Sequence, residues 1–337
     1  MSLPTLYQLA LSAIMCTVIF TGNVLAPRAA TAATYYVATN GSNANAGTES
    51  EPFGTIDQGI RALRAGDTLY IRAGTYAQPI GYPSSVIQIP SGTSWSHPVT
   101  IAGFPGETVI IQSIEIVDGY GTSYVIFDNL TLENGLYIGS CDTHDVRFMN
   151  GEITVSPASP AGTSVVLGCG SIEVLNSKIH GSQGGYGVYW KGHDSTFDGN
   201  EVYDNGGYAY HIYSSGADDV SNNVVSNNTI HGNGFNGPLG GNGSGGIILS
   251  SGSNNQALNN IVYGNYGGID VDYTHGGTNN QVSGNTIYDN AYRGITIGAG
   301  ALNTIVENNI VYHNGRTIDD YGVGTILIDN SVTDPNK

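Results

Sequence analysis

The sequence predicts a right-handed parallel β-helix, a solenoid with three short strands per coil, and three observations lead there. The first is a motif that returns, from residue 148 onward, at intervals of 23 to 32 residues: Phe197-Asp198-Gly199-Asn200-Glu201-Val202-Tyr203-Asp204-Asn205, then residues 225–233, 257–265, 282–290 and 306–314, with weaker copies at 174–182, 148–154 and, 21 residues earlier, 127–134. A fixed period of this length with short apolar alternation marks stacked repeats. The second is the period-two alternation inside each repeat, which is a strand signal. The third is an asparagine at the same corner of successive repeats, at Asn200, Asn228, Asn260, Asn285 and Asn309. Parallel crossovers are almost always right-handed, which sets the expected hand of the coil.

Taken in order, the first run of each repeat aligns Val174, Phe197, Val225, Ala257, Val282 and Val306 in one apolar column. After the Asn corner, the second run aligns Ile179, Val202, Ile230, Val262, Ile287 and Val311. The Asn amides can bond their neighbours above and below and the backbone at the bend, so these columns are read as structural. The outward column His180, Tyr203, His231, Tyr263, Tyr288 and Tyr312 is read as a stacked aromatic ladder. A third run follows a Gly-rich turn, as in Gly187-Val188-Tyr189-Trp190 and Gly268-Ile269-Asp270-Val271. Before the coils, residues 55–65 read as a short amphipathic helix with Ile56, Ile60 and Leu63 on one face, a lid over the N-terminal end of the core.

With these features the chain resembles the right-handed parallel β-helix proteins grouped around pectate lyases and other polysaccharide lyases. The N-terminal part carries the likeness too, in Tyr35-Tyr36-Val37, Asn40-Gly41-Ser42 and Gly66-Asp67-Thr68-Leu69-Tyr70-Ile71. The likeness covers nearly all of the chain after its first residues. It speaks to fold far more than to activity, because one fold hosts many chemistries.

Residues 6–20 are apolar, too short for a comfortable membrane span, and lead into the small residues of 29–33. Residues 1–33 are therefore expected to be a secretory signal peptide, although no Lys or Arg precedes the apolar run. A retained N-terminal anchor is the alternative. The rest, 34–337, is expected to be a single β-helix domain with coils over about 68–330, monomeric, and exported to the extracellular space or the periplasm with no membrane contact in its mature form. Cys141 and Cys169 fall in the turn after the third run on neighbouring coils, which in an exported protein favours a disulfide over two buried thiols.

The formal net charge is −17 with only ten Lys and Arg. That excludes a nucleic-acid partner, which needs a basic footprint. The Gly-rich stretch 232–246 is no phosphate loop, since no Gly-Lys-Ser/Thr follows. An acidic or neutral polysaccharide remains the expected partner. Stretch 232–246 enters the third sheet midway and is expected to wall a groove there.

A β-helix interior is packed, so chemistry must lie outside it. The outward positions of the third run form two columns: Tyr137, Val166, Tyr189, His211, Ile248, Asp270 and Thr296, and Gly139, Gly168, Lys191, Tyr213, Ser250, Asp272 and Gly298. Coils ~4.8 Å apart put His211 roughly 10 Å from Asp270. In the family that the chain resembles, this sheet carries the substrate cleft, acidic residues there hold Ca²⁺, and a Lys or Arg removes the proton beside a uronate carboxylate. The resemblance implies Asp270 and Asp272 as an outward Ca²⁺ pair. Ca²⁺ takes six to eight oxygen ligands, so that pair would need help from carbonyls, water or substrate. Lys191, His211 and Tyr213 are the candidate bases, and Arg293 a carboxylate clamp. Tyr189, Tyr208, Tyr273 and His275 are the expected substrate contacts. Asp194, Asp218 and Asp219 lie in turns on neighbouring coils and form a candidate structural Ca²⁺ site.

The leading expectation is a polysaccharide lyase that breaks a uronic-acid polymer by Ca²⁺-assisted β-elimination. A non-catalytic carbohydrate-binding or cell-surface β-helix is the alternative from another class. A C5-epimerase or a glycoside hydrolase on the same fold comes next. Tyr266, Asp270 and His275 resemble an epimerase set only loosely, and the polygalacturonase signatures are absent.

Overall fold

The computed structural model describes residues 31–81, 87–117, 121–155, 162, 164–214, 220–235, 245–271 and 277–335. Every strand among the described residues belongs to the unit Ala32–Lys337. The expected signal peptide therefore lies almost wholly outside the described residues, as do Asp218, Asp219, Asp272, Tyr273, His275 and most of the Gly-rich stretch 232–246.

Among the described residues, three parallel sheets of twelve, ten and nine strands run along the solenoid. Each strand pairs with its counterpart one coil away, so the sequence columns become rows of stacked side chains. Phe197 sits opposite Val174 and Val225 in the first sheet, Val202 opposite Ile179 and Ile230 in the second, and Tyr210 opposite Val188 and Ile247 in the third. These residues are fully buried. At about 1.5–3 kcal/mol for each large apolar side chain, the stacked columns are the main stabilising term. Outside the second sheet, His180, Tyr203, His231, Tyr263, Tyr288 and Tyr312 stack ring on ring, with centroids 4.6–5.3 Å apart.

The corners hold more asparagine than the repeat motif alone suggests. One ladder runs Asn200, Asn228, Asn260, Asn285, Asn309 and Asn330 between the first and second sheets. A second runs Asn205, Asn233, Asn265, Asn290 and Asn314 after the second sheet. A third, Asn223, Asn255 and Asn280, precedes the first sheet. In each, the amide oxygen accepts from the backbone N–H of the asparagine one coil earlier. Asn228 shows the pattern: its N and Nδ2 donate to Asn260 Oδ1 at 3.0 and 2.9 Å, and Nδ2 also donates to Phe197 O at 3.0 Å. The residue before each asparagine of the first ladder has φ between 50° and 68°, and these are Gly199, Asn227, Asn259, Gly284, Asn308 and Asp329. Left-handed backbone admits Gly, Asn and Asp at least cost, which is why the corner reads Gly-Asn, Asn-Asn or Asp-Asn.

The capping helix spans Ile56–Ala62, with Thr55 Oγ1 accepting from Gln58 N at 3.3 Å as its N-cap. It is shorter than the expected 55–65 because Leu63 turns extended, and the Asp67 carboxylate then accepts from Arg64 N. Ile56, Ile60 and Leu63 are buried against the first coil, as the amphipathic pattern requires. At Gly59 a Cβ would come within 2.6 Å of Leu69, so only glycine lets the helix approach this closely. Cys141 and Cys169 form a disulfide with Cα atoms 5.0 Å apart, joining the turns that follow Leu136–Ile138 and Val165–Leu167. No helix among the described residues is long and apolar enough to cross a membrane.

Replacing a central ladder residue strands several buried polar groups at once, each costing about 1–3 kcal/mol. Asn260→Ala is expected to lose about 3 kcal/mol or more in urea unfolding. Asn330→Ala, at the last rung, should lose at most half as much. A loss for Asn260→Ala no greater than the ~0.5 kcal/mol of an ordinary surface change would show that the ladder does not hold the coils.

Candidate functional site

The third sheet places the candidates in register. His211 lies beside Tyr189 on one coil and Ile248 on the next, and Ile248 lies beside Asp270, which faces Thr296. His211 and Asp270 are thus two coils apart, as expected. The column is not an open surface, however: Ile248, Asp270 and Thr296 are each 3–4% exposed. The pattern of alternation implies that every outward position of this sheet faces solvent, and the structure corrects that expectation. Part of the cover comes from side chains two residues before the strands. In register, that position holds Tyr186, Tyr208, Gly245, Gly267, Arg293 and Arg316. Gly245 and Gly267 carry no side chain, and Tyr208 interacts with Asp270 two coils away.

His211 sits in a box of four tyrosines. Ring centroids lie 4.6 Å away for Tyr186, 5.2 Å for Tyr189, 5.4 Å for Tyr208 and 5.1 Å for Tyr213, which stacks on the imidazole. Burial pushes the imidazole down to about 4, so it is neutral near pH 7. Its Nδ1 is buried with no hydrogen-bond partner among the described residues. Burial also raises Tyr186, Tyr189 and Tyr208 above the ordinary tyrosine value, which keeps their hydroxyls protonated. Lys191 Nζ stands 5.4 Å from the centre of the Tyr189 ring.

Asp270 pairs with Arg293, Oδ1 to Nε at 3.2 Å and Oδ2 to Nη2 at 3.4 Å. Burial pushes the carboxyl up to about 6, while the Arg293 charge, Thr296 and Tyr208 pull the other way. Asp270 Oδ1 and Thr296 Oγ1 make no hydrogen bond of good angle among the described residues, so at Oδ1 the charge attraction across 3.2 Å is the interaction that counts. Two roles assigned separately from sequence, a metal ligand at Asp270 and a substrate clamp at Arg293, are here spent largely on each other. Arg293 also packs on the Tyr292 ring at 5.0 Å.

In this structure both carboxylate oxygens of Asp270 face the Arg293 guanidinium. Asp272, the other half of the expected pair, lies outside the described residues. So do Tyr273 and His275. At the other candidate calcium site, Asp194 is engaged by His193 at 2.7 Å and by Asn222 at 3.0 Å. Sequence reasoning missed Tyr186, which the turn column would have revealed had the repeats been aligned backward from the third strand.

Residues 164–333 match the family model described as "Right handed beta helix region". The chain belongs to that family. This β-helix chain is 26% identical over 340 residues to the uncharacterized protein YwoF of Bacillus subtilis, a match covering 83% of the chain and 68% of YwoF. Over 85 residues it is 38% identical to pectate lyase PEL9 of Emericella nidulans, which takes in 25% of the chain and only 20% of PEL9. In three dimensions it superposes on pectate lyase Pel9A with a TM-score of 0.58 at 18% identity, over 91% of the chain and 78% of Pel9A. A glycoside hydrolase gives 0.61 at 11% identity, over 89% of the chain and 97% of the hydrolase. The architecture is that of the pectate lyase-like β-helix proteins, shared by lyases and hydrolases alike.

His211 and Asp270 should bend the pH dependence of stability in opposite senses. The unfolded chain protonates His211 below ~6.5, but the folded chain refuses that proton down to about 4, so the stability of wild type relative to His211→Gln should rise with pH across this window. The folded chain keeps the Asp270 proton up to about 6 while the unfolded chain releases it near ~3.9, so wild type relative to Asp270→Asn should lose stability as pH rises between those values. Urea titrations from pH 4 to 7 test both signs, and equal slopes for the two variants would remove the assigned burial of these groups.

Proposed function

We propose that this protein is an exported polysaccharide lyase that cleaves a uronic-acid-containing glycan by β-elimination, with His211 at the centre of its site. The observation that carries the reading is a neutral imidazole whose Nδ1 has no hydrogen-bond partner among the described residues, boxed by four tyrosine rings on the outward face of the third sheet. In this reaction a base removes the C5 proton, the electrons form the C4–C5 double bond, and the C4–O bond breaks with protonation of the departing oxygen. His211 suits the first task because it stays unprotonated. Tyr213 and Tyr189, whose rings flank the imidazole, supply candidate hydroxyls for the last. Lys191, above Tyr189, supplies the charge that a uronate carboxylate needs when its C5 proton leaves. Arg293 positions Asp270, whose buried charge it meets. The apolar segment 6–20 and the Cys141–Cys169 disulfide support export to the extracellular space or periplasm.

A second reading is favoured by one observation. A carboxyl held near 6, as at Asp270, is the state that a glycoside hydrolase needs in its general acid. The pH profile separates the two. A lyase using neutral His211 loses kcat/KM as pH falls through about 4 and keeps it above 6, whereas a hydrolase using protonated Asp270 loses it as pH rises past about 6.

The test is the ultraviolet absorbance of unsaturated product on a panel of polyuronates. His211→Gln is expected to lower kcat by 10²-fold or more, in the range of general base catalysis, and Lys191→Ala to lower kcat/KM on charged polymer. New reducing ends without absorbance would replace the lyase by a hydrolase. C5 proton exchange with solvent without cleavage would replace it by an epimerase. Binding with neither would make the protein a carbohydrate-binding β-helix.

A further inference from the structure

Beyond the His211 box, toward the C-terminal coils, the turn leading into the third sheet carries a second group of rings and charges. Tyr266 and Tyr292 occupy the position three residues before the third strand on successive coils. Their rings stack with centroids 5.8 Å apart and planes 26° apart. Phe235 meets the edge of Tyr266 at 6.2 Å. Phe235 and Tyr292 are 47% and 40% exposed, high for large side chains with apolar faces. Two guanidinium groups border the same ring: Arg293 at 5.0 Å and Arg316 at 5.8 Å from the Tyr292 centroid. Of the ten Lys and Arg in a chain of net charge −17, Lys191, Arg293 and Arg316 all lie along this side.

The arrangement is specific in its chemistry. Aromatic faces receive the C–H faces of sugar rings, and guanidinium groups receive carboxylates, often in two parallel bonds. The rings advance by one per coil, ~4.8 Å along the axis, so they meet an extended chain that runs parallel to the solenoid. Arg316 is more than half exposed and pairs with Asp319 at 3.3 Å. An exposed pair of this kind is worth little, so a bidentate carboxylate can displace it. Arg293 is held by Asp270 and anchors the Tyr292 ring from below, linking this surface to the His211 strip.

We propose that Phe235, Tyr266, Tyr292 and Arg316 form a subsite for an acidic sugar residue of a glycan that lies along the solenoid axis, outside the His211 centre. The proposal rests on the reading of that strip as the place where the glycan is acted on. It predicts that long ligands engage both regions and short ones only the first.

The experiment is calorimetric binding of short and long oligogalacturonates, with carboxyl-reduced long oligomers as the neutral probe, to wild type, Tyr292→Ala and Arg316→Gln. Tyr292→Ala should weaken long oligomers about tenfold and leave short ones unchanged. Arg316→Gln should weaken the long acidic oligomer, reduce the salt dependence of its binding, and leave the carboxyl-reduced oligomer unaffected. Thermal melts of both variants should match wild type, since both residues are exposed. Equal losses for short and long ligands would overturn the subsite, as would no loss in either variant. Tighter binding of the carboxyl-reduced oligomer, or no binding of any acidic oligomer, would overturn the acidic assignment. Affinity is read from the calorimetry and turnover from the absorbance of unsaturated product, so the two proposals fail separately: variant effects without unsaturated product keep the subsite and remove the lyase, and product without variant effects does the reverse.

Discussion

A parallel coil can turn only where the backbone groups of the bend find partners, and here asparagine amides supply them. Each ladder amide accepts from a backbone N–H and donates to a backbone carbonyl of the preceding coil, and donates also to the amide oxygen of the following one, so one side chain satisfies groups on adjacent coils. The apolar columns provide most of the stabilisation, but they are indifferent to register by a coil. The amide rows are not, because a displaced asparagine would leave its own donors buried without acceptors. Register at the corners then dictates register everywhere else, including the rows that face outward.

That constraint is what brings chemistry together in a protein with few charged residues. The corners on either side of the second sheet repeat the same short turns, and little varies there. The approach to the third sheet varies from coil to coil, alternating tyrosine, glycine and arginine at a single position. Where the position holds glycine, a neighbour's side chain crosses the gap, and Tyr208 interacts with Asp270 in this way. Where it holds arginine, the buried carboxyl acquires its counter-charge. A buried, incompletely bonded carboxyl is costly on its own, and the Arg293 pair makes it tolerable without making it stable. Sites of this kind hold reactive groups away from water and away from their preferred protonation state.

The fold was legible in the sequence because its determinants are periodic. Val174 through Val306 and Ile179 through Val311 needed only counting, and Asn200 through Asn309 marked a corner whose polar groups had to be met. The Asn205 and Asn223 ladders were present in the same text, each five residues from a rung of the Asn200 ladder, but the polar groups they satisfy are seen only once the coils are stacked. The capping helix was visible by its apolar face, and its end was misjudged because Asp67, beyond the segment, closes the turn. The site was legible by half. Tyr189, His211 and Asp270 were placed in their row correctly. Their burial was not foreseen, since the cover comes from residues two positions before other strands. The Asp270–Arg293 pair joins adjacent coils 23 residues apart, and only the finished register shows that the two charges meet.

The left-handed residue ahead of each ladder asparagine carries a consequence for how such a chain can change over time. The backbone there admits glycine, asparagine and aspartate, with histidine at His313, and those are the residues found. In the genetic code aspartate is one base from each of the other three. Drift at a corner can therefore pass among permitted residues by single substitutions, with no intermediate that breaks the coil. The corners are rigid in conformation yet fluid in spelling. The outward row of the third sheet, bound by no such rule, is free to explore new chemistry on an unchanging frame.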